Sequence, residues 1–179
     1  MAAALTIQGL EVRYGETVAL TGVNLQLPAG SSLAVIGPNG SGKSTLLSAI
    51  AGINPPFAGT ISWGGEAPAL VLQSTSVDRS LPITVRDTIG LGRYPTRGRL
   101  RRCRGEDRSA VAQAMERLHI PDLAGKQLHD LSGGQRQRLL VAQGLAQQSD
   151  LLLLDEPVTG LDVTSRGLIL DVIHDEVMH

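Results

Sequence analysis

The sequence carries a single cysteine, Cys103, among its 179 residues. An internal disulfide and a thiolate metal cluster are both excluded, and one lone thiol fits a reducing compartment. Only four residues are aromatic, Tyr14, Phe57, Trp63 and Tyr94, so the core has to be aliphatic. Lysine occurs twice, at Lys43 and Lys126. An excess of charge is lacking too: the formal net charge of −1 offers no overall attraction to nucleic acid or to a membrane. No apolar run approaches the length that spans a bilayer. The opening residues MAAALTIQGLEVRY have neither the basic leader nor the apolar stretch of a secretory signal, and the chain is expected in the cytosol. A hydrophobic fraction of 42% with 18% charged residues suits one globular domain over residues 1–179.

Patterns of strand and helix alternate, which points to an α/β architecture. LTIQGLEVRY and TVALTGVNLQL have period-two stretches that break at Pro28-Ala29-Gly30. SLAVIG and LLLLD are short unbroken apolar runs, the pattern of parallel strands buried on both faces. Between them, from about 84 to 145, helical signals dominate: Thr84 with Asp87 spaced as a capping box, then EDRSAVAQAMERL, then the residues after Ser132. A helical subdomain inserted between two strands is expected there.

The strongest chemical signal is GPNGSGKS, Gly37 to Ser44. It fits G-x-x-x-x-G-K-[ST] between an apolar run and a helical one, the context this phosphate loop requires. Gly37, Pro38, Asn39, Gly40, Ser41, Gly42, Lys43, Ser44 and Thr45 would wrap backbone N–H groups around phosphate oxygens at a helix start. Lys43 would reach the outer phosphates and Ser44 would ligate Mg²⁺. In LLLLDEP the acidic pair stands at the carboxyl end of a buried strand, where ligands bind in open α/β sheets. Asp155 is the candidate Mg²⁺ ligand, and Glu156 the candidate for polarising the attacking water.

LSGGQRQR, from Leu131, joins helix-start spacing at Ser132 and Gln135 to two glycines, Gly133 and Gly134. Each glycine costs about 1 kcal/mol of helix propensity against alanine, so an approach to the backbone is expected. A helix N-terminus is an anion site, yet this chain already has one phosphate loop. Two chains head to tail, each lending Ser132 to Gln135 to the γ-phosphate held by the other, would resolve the surplus.

GPNGSGKST, LSGGQ and LLLLDEP, in this chain, resemble the ATP-binding cassette family, the nucleotide-hydrolysing subunits of ABC transporters. The resemblance implies an ABC-type P-loop fold: a mixed-sheet core, an N-terminal antiparallel β-subdomain and an inserted helical subdomain. By that likeness Tyr14 stacks on adenine, Gln73 links Mg²⁺ to the transport machinery, and Asp162 in TGLD lies in a loop crossing the dimer interface. ATP and Mg²⁺ are the implied ligands. A membrane-spanning permease and a second ATPase chain are the implied partners, with a substrate-binding protein acting indirectly and no nucleic acid, at the cytoplasmic face of the membrane. The stretch from Ser80 to Arg102 is similar to subunits serving metal or metal-chelate importers, zinc or manganese foremost.

Two departures stand out. The segment before Gln73 is short and lacks the family's basic stretch, which implies a trimmed β-subdomain. The family's histidine, one strand further on, has no counterpart: His174 lies in RGLILDVIHDEVMH, where Leu168, Ile169, Val172, Ile173 and Met178 have helical spacing. A shortened member is expected, with an uncovered sheet edge or face and with ATP binding better preserved than hydrolysis. A non-hydrolysing nucleotide-binding module and a soluble, non-transport cassette remain as alternatives. Arginines 97, 99, 101, 102 and 104 form either a solvated loop or a contact for lipid headgroups or a membrane subunit.

Overall fold

The computed structural model describes residues 3–72, 82–97 and 104–178. Strand β1 (Ala3–Tyr14) turns through Gly15 and Glu16 into β2 (Thr17–Pro28), and β3 (Ala58–Trp63) pairs with the other edge of β1, all antiparallel, in the order β2-β1-β3. The buried side chains of β1 are Leu5 and Ile7, then Leu10 and Val12. Their change of parity coincides with a register irregularity between Ile7 and Leu10. An extra residue in one strand switches which positions face inward, so the bulge keeps all four residues on the core side.

A second, parallel pair joins β4 (Ala69–Val71) to β5 (Leu152–Leu154), with Val71 opposite Leu154. The chain between these strands is helical in its described parts: α2 (Val85–Leu91), α3 (Tyr94–Arg97), α4 (Gly105–Arg117) and α5 (Gly133–Ala146), with short 3₁₀ turns at Pro121–Leu123 and Leu128–Asp130. Helix α1 (Lys43–Ile50) follows the glycine-rich loop, and α6 (Val163–Met178) follows β5. The capping box expected at Thr84 and Asp87 is present: the Thr84 hydroxyl accepts from the Asp87 N–H, and the Asp87 carboxylate accepts from the Thr84 N–H.

Two aliphatic cores meet at β5. Leu151 and Leu153 are buried with Leu46, Ala49 and Ile50 of α1 and the inward face of β1. Leu152 and Leu154 pack instead toward a core built from α2, α4, α5 and α6, with Val85, Ile89, Met115, Leu139, Val141 and Ile169 among its members. The unbroken leucine run is thereby explained: alternate residues of one strand serve opposite apolar layers. Helix α6 contains His174, and its Leu168, Ile169, Val172 and Ile173 face the second core, as their spacing implies.

SLAVIG departs from expectation. Residues 31–38 form no strand, and Leu33 and Val35 are exposed, with Ile36 92% accessible. A parallel strand exists through neighbours that take up its N–H and C=O groups. Among the described residues the ladder partner of β5 is β4 and no strand pairs with this segment, which leaves its apolar side chains in water.

Candidate functional site

The glycine-rich loop ends at Gly42, the N-cap of α1, with φ of 89° and no side-chain capping bond. The left-handed backbone suits glycine, and the space is tight as well: a Cβ here would lie 2.6 Å from Leu20 Cδ2 and 3.2 Å from the Ala19 carbonyl oxygen of β2. The first N–H groups of α1 therefore face outward without a side-chain acceptor, the arrangement that binds anions. Lys43 Nζ donates to the carbonyls of Gly37 at 2.9 Å and Pro38 at 3.0 Å. The ammonium is thus held back over its own loop, where an arriving phosphate would replace two neutral acceptors by a charged one. Ser44 is exposed and Thr45 half-buried on the first turn of α1.

Asp155 follows directly on β5, and its N–H donates to the Val71 carbonyl at 2.9 Å. Strand register thereby fixes the acidic pair beside the end of β4. Glu156 adopts φ of 48°, a left-handed conformation that costs a non-glycine residue about 1–2 kcal/mol and turns its side chain off the strand direction. Thr159 Oγ1 donates to its carboxylate at 3.1 Å. Because α1 and β5 share one core, the phosphate loop and the acidic pair are carried by packed neighbours. Gln73 lies outside the described residues. The ladder that leads to it ends at Val71, and Leu72 is exposed.

The start of α5 has the reciprocal cap that its spacing predicts: Ser132 Oγ accepts from the Gln135 N–H at 3.3 Å, and Gln135 Oε1 accepts from the Ser132 N–H at 3.1 Å. The two glycines between them differ. A Cβ on Gly133 would meet nothing within 4 Å, whereas one on Gly134 would lie 2.7 Å from Ser165 Oγ and 3.1 Å from Asp162 Oδ2. Gly133 is open to an incoming group, while Gly134 lets the beginning of α6 pack against α5. The sequence reading assigned both to an approaching anion; the packing role of Gly134, and Ser165 with it, went unseen because it depends on a contact across 31 positions.

Asp162 Oδ1 accepts from the Ser165 N–H at 2.9 Å. The hydrogen bonds from Ser165, backbone first and hydroxyl second, hold the Asp162 carboxyl below its ordinary value. Tyr14 ends β1 with 51% of its surface exposed, and its phenol oxygen accepts from Asn54 Nδ2 at 2.7 Å. Asn54 is a second residue that no sequence pattern singles out.

The description "ABC transporter" matches residues 20–159. The chain belongs to the ABC transporter ATP-binding family. The matched region of this ATP-binding domain contains the phosphate loop, the signature segment at Ser132 to Gln135 and the acidic pair. The domain is 36% identical over 176 residues to the manganese transport system ATP-binding protein MntB of Listeria monocytogenes, covering 94% of this chain and 73% of that one. It is 41% identical over 172 residues to the hemin import ATP-binding protein HmuV of Streptomyces coelicolor, covering 90% of this chain and 61% of that one. In three dimensions it is similar to a chain of a metal-chelate type ABC transporter in an inward-facing conformation, with a TM-score of 0.86 and 33% identity over 99% of this chain and 69% of the other. Among the described residues no helix is long and apolar enough to cross a membrane, and no group of three or more His, Cys, Asp or Glu is placed to hold a metal ion.

Proposed function

We propose that this domain binds and hydrolyses ATP as half of a pair of cassettes, and that closure of the pair drives transport through a membrane-spanning permease. The observation that carries the reading is the division of anion-ready helix starts between two cores: α1 begins at the phosphate loop, and α5 begins at an open Gly133 in the other layer. In a head-to-tail pair, Lys43 and the loop Gly37 to Thr45 hold the triphosphate from one side, and Ser132, Gly133, Gly134 and Gln135 of the second chain reach its γ-phosphate. Asp162, at the start of α6, lies in the loop that meets the other chain.

Catalysis then consists of positioning and electrostatic stabilisation of an in-line attack. Lys43 exchanges its two carbonyl partners for phosphate oxygens. Glu156, set off the strand by its backbone, polarises the attacking water. The Ser44 hydroxyl and the Asp155 carboxylate form an all-oxygen donor set suited to Mg²⁺, with Gln73 as a third candidate. That ion would neutralise charge on the phosphate oxygens.

The cargo assigned to the permease is a transition-metal ion or a metal chelate, a reading supported by the names of the manganese and hemin relatives. The subunit would sit peripherally at the cytoplasmic face, with a substrate-binding protein delivering cargo to the other side. A mixing experiment tests the paired site. Lys43→Ala and Ser132→Arg chains, each inactive alone, should recover part of the ATPase activity when combined, because one of the two composite sites is then intact. Activity per chain that is independent of concentration, with no recovery on mixing, would overturn the paired site.

A further inference from the structure

We infer that Asn54 is a positioning residue for the nucleotide base, acting through Tyr14. The inference rests on the reading of Tyr14 as the base platform and extends it to a residue that fixes where the platform stands relative to the phosphate loop.

Tyr14 occupies the last position of β1, opposite Thr17, beside the turn through Gly15 and Glu16. A half-exposed tyrosine at a hairpin end has little packing to select one ring orientation. The bond from Asn54 Nδ2 to the phenol oxygen, 2.7 Å long, supplies the selection. Asn54 is itself fastened. After α1, the N–H groups of Ile53 and Asn54 both donate to the Ser48 carbonyl, at 2.9 and 3.3 Å, so the chain folds back onto the last turns of that helix. Pro55 and Pro56 follow; a proline confines the residue before it to extended conformations, and two in succession stiffen the connection. Beyond them the Phe57 N–H donates to the Glu11 carbonyl of β1 at 2.8 Å. The segment from Gly52 to Phe57 is thus a strap tied at one end to α1 and at the other to β1, with Asn54 reaching the tyrosine from between the ties.

A nucleotide has to place its base and its phosphates at once. The phosphates would bind at the N-terminus of the eight-residue α1, and the base would lie on a ring at the end of β1. Asn54 links the C-terminal end of α1 directly to that ring, so platform and cradle are held in register before ligand arrives. Pre-ordering of this kind raises affinity by removing the cost of fixing a mobile side chain on binding. The phenol O–H stays available to donate, because the amide uses only its oxygen as an acceptor.

The test is a double-mutant cycle read by equilibrium binding of ATP and of inorganic tripolyphosphate, which has no base. Asn54→Ala and Tyr14→Phe should each weaken ATP about three- to ten-fold, the range of one lost hydrogen bond. The double variant should be no weaker than either single one, and tripolyphosphate affinity should be unchanged throughout, which also reports that each variant is folded. Additive losses, an unchanged ATP affinity in Asn54→Ala, or equal weakening of tripolyphosphate would each overturn the inference. Tyr14→Ala separates it from its foundation: if that variant binds ATP normally, the base platform itself is wrong; if it binds weakly while Asn54→Ala does not, only the role of Asn54 fails.

Discussion

Gly134 of α5 and Ser165 of α6 are so close that a single methyl group on the glycine would reach within 2.7 Å of the serine hydroxyl, with the Asp162 carboxylate 3.1 Å away. The helix that begins at Ser132 and the helix that begins after Asp162 are therefore packed start against start. A shift of either helix start should therefore displace the other.

Gly134→Ala tests that coupling. On an isolated helix the change would stabilise by about 1 kcal/mol; here it must displace Ser165 or Asp162. Steady-state ATPase activity should fall at least ten-fold. Ser165→Ala in the same chain should restore part of it, because the nearest obstructing atom is then gone and the next one, Asp162 Oδ2, lies at 3.1 Å. Full activity in the single variant would show that the two helix starts are not coupled.

Arg93 performs a comparable task at the other end of α5. Its Nε donates to Asp107 Oδ1 at 3.1 Å, and its Nη1 donates to the carbonyls of Ala146 and Gln147 and to Gln148 Oε1 at 2.9, 3.1 and 2.9 Å. Both charged residues are buried. One guanidinium thus closes the C-terminus of α5 while anchoring the first turn of α4. Arg93→Ala should lower unfolding free energy by about 3–5 kcal/mol, because a buried carboxylate and helix-end carbonyls lose their donor together. Arg93→Lys should lose less, retaining the charge but not the fork. Urea denaturation of the two variants beside the natural chain measures both.

These contacts mark the boundary of what the sequence discloses. The capping boxes at Thr84 and Asp87 and at Ser132 and Gln135 were legible because both partners lie within one turn and local rules determine them. Helix α6 and strand β5 were legible because their apolar spacing matches the layers they enter. Arg93 was hidden in a stretch of arginines, and its acceptors at the end of α5 lie more than fifty positions away; Asn54 and Tyr14 are separated by forty. SLAVIG misled for a different reason. An apolar run reports what a segment is suited to bury, and its ladder depends on whether another strand stands beside it.

Asp162 makes a prediction about acid. Its carboxyl is held below the ordinary value of 3.8 by bonds from Ser165. In the intervening pH window the unfolded chain binds a proton that the folded chain does not, so stability rises with pH there. The contribution is complete above the unfolded value and disappears as pH falls through the lowered one. Asp162→Asn can still accept at the helix start but does not titrate. Comparing unfolding free energy from pH 5 down to pH 2, the natural chain should lose more than the variant, with the difference confined below about pH 4. Parallel curves would show that the carboxylate contributes nothing to the acid limb.

The exposed run at Leu33, Val35 and Ile36 predicts association. Ile36 is 92% accessible, and among the described residues the segment pairs with no strand although its sequence is suited to one. An apolar segment with a free hydrogen-bonding edge is a template for another chain. Sedimentation velocity should therefore show concentration-dependent self-association of this chain without nucleotide. Ile36→Lys should suppress it by placing a charge on the edge, while its urea midpoint changes little, because a side chain already in water gives up almost no burial and surface substitutions usually remain within about 0.5 kcal/mol. The same change made at Leu153, which is buried in β5, should unfold the chain. If Ile36→Lys destabilises as strongly as the change at Leu153, residue 36 is buried in solution and the open edge does not exist.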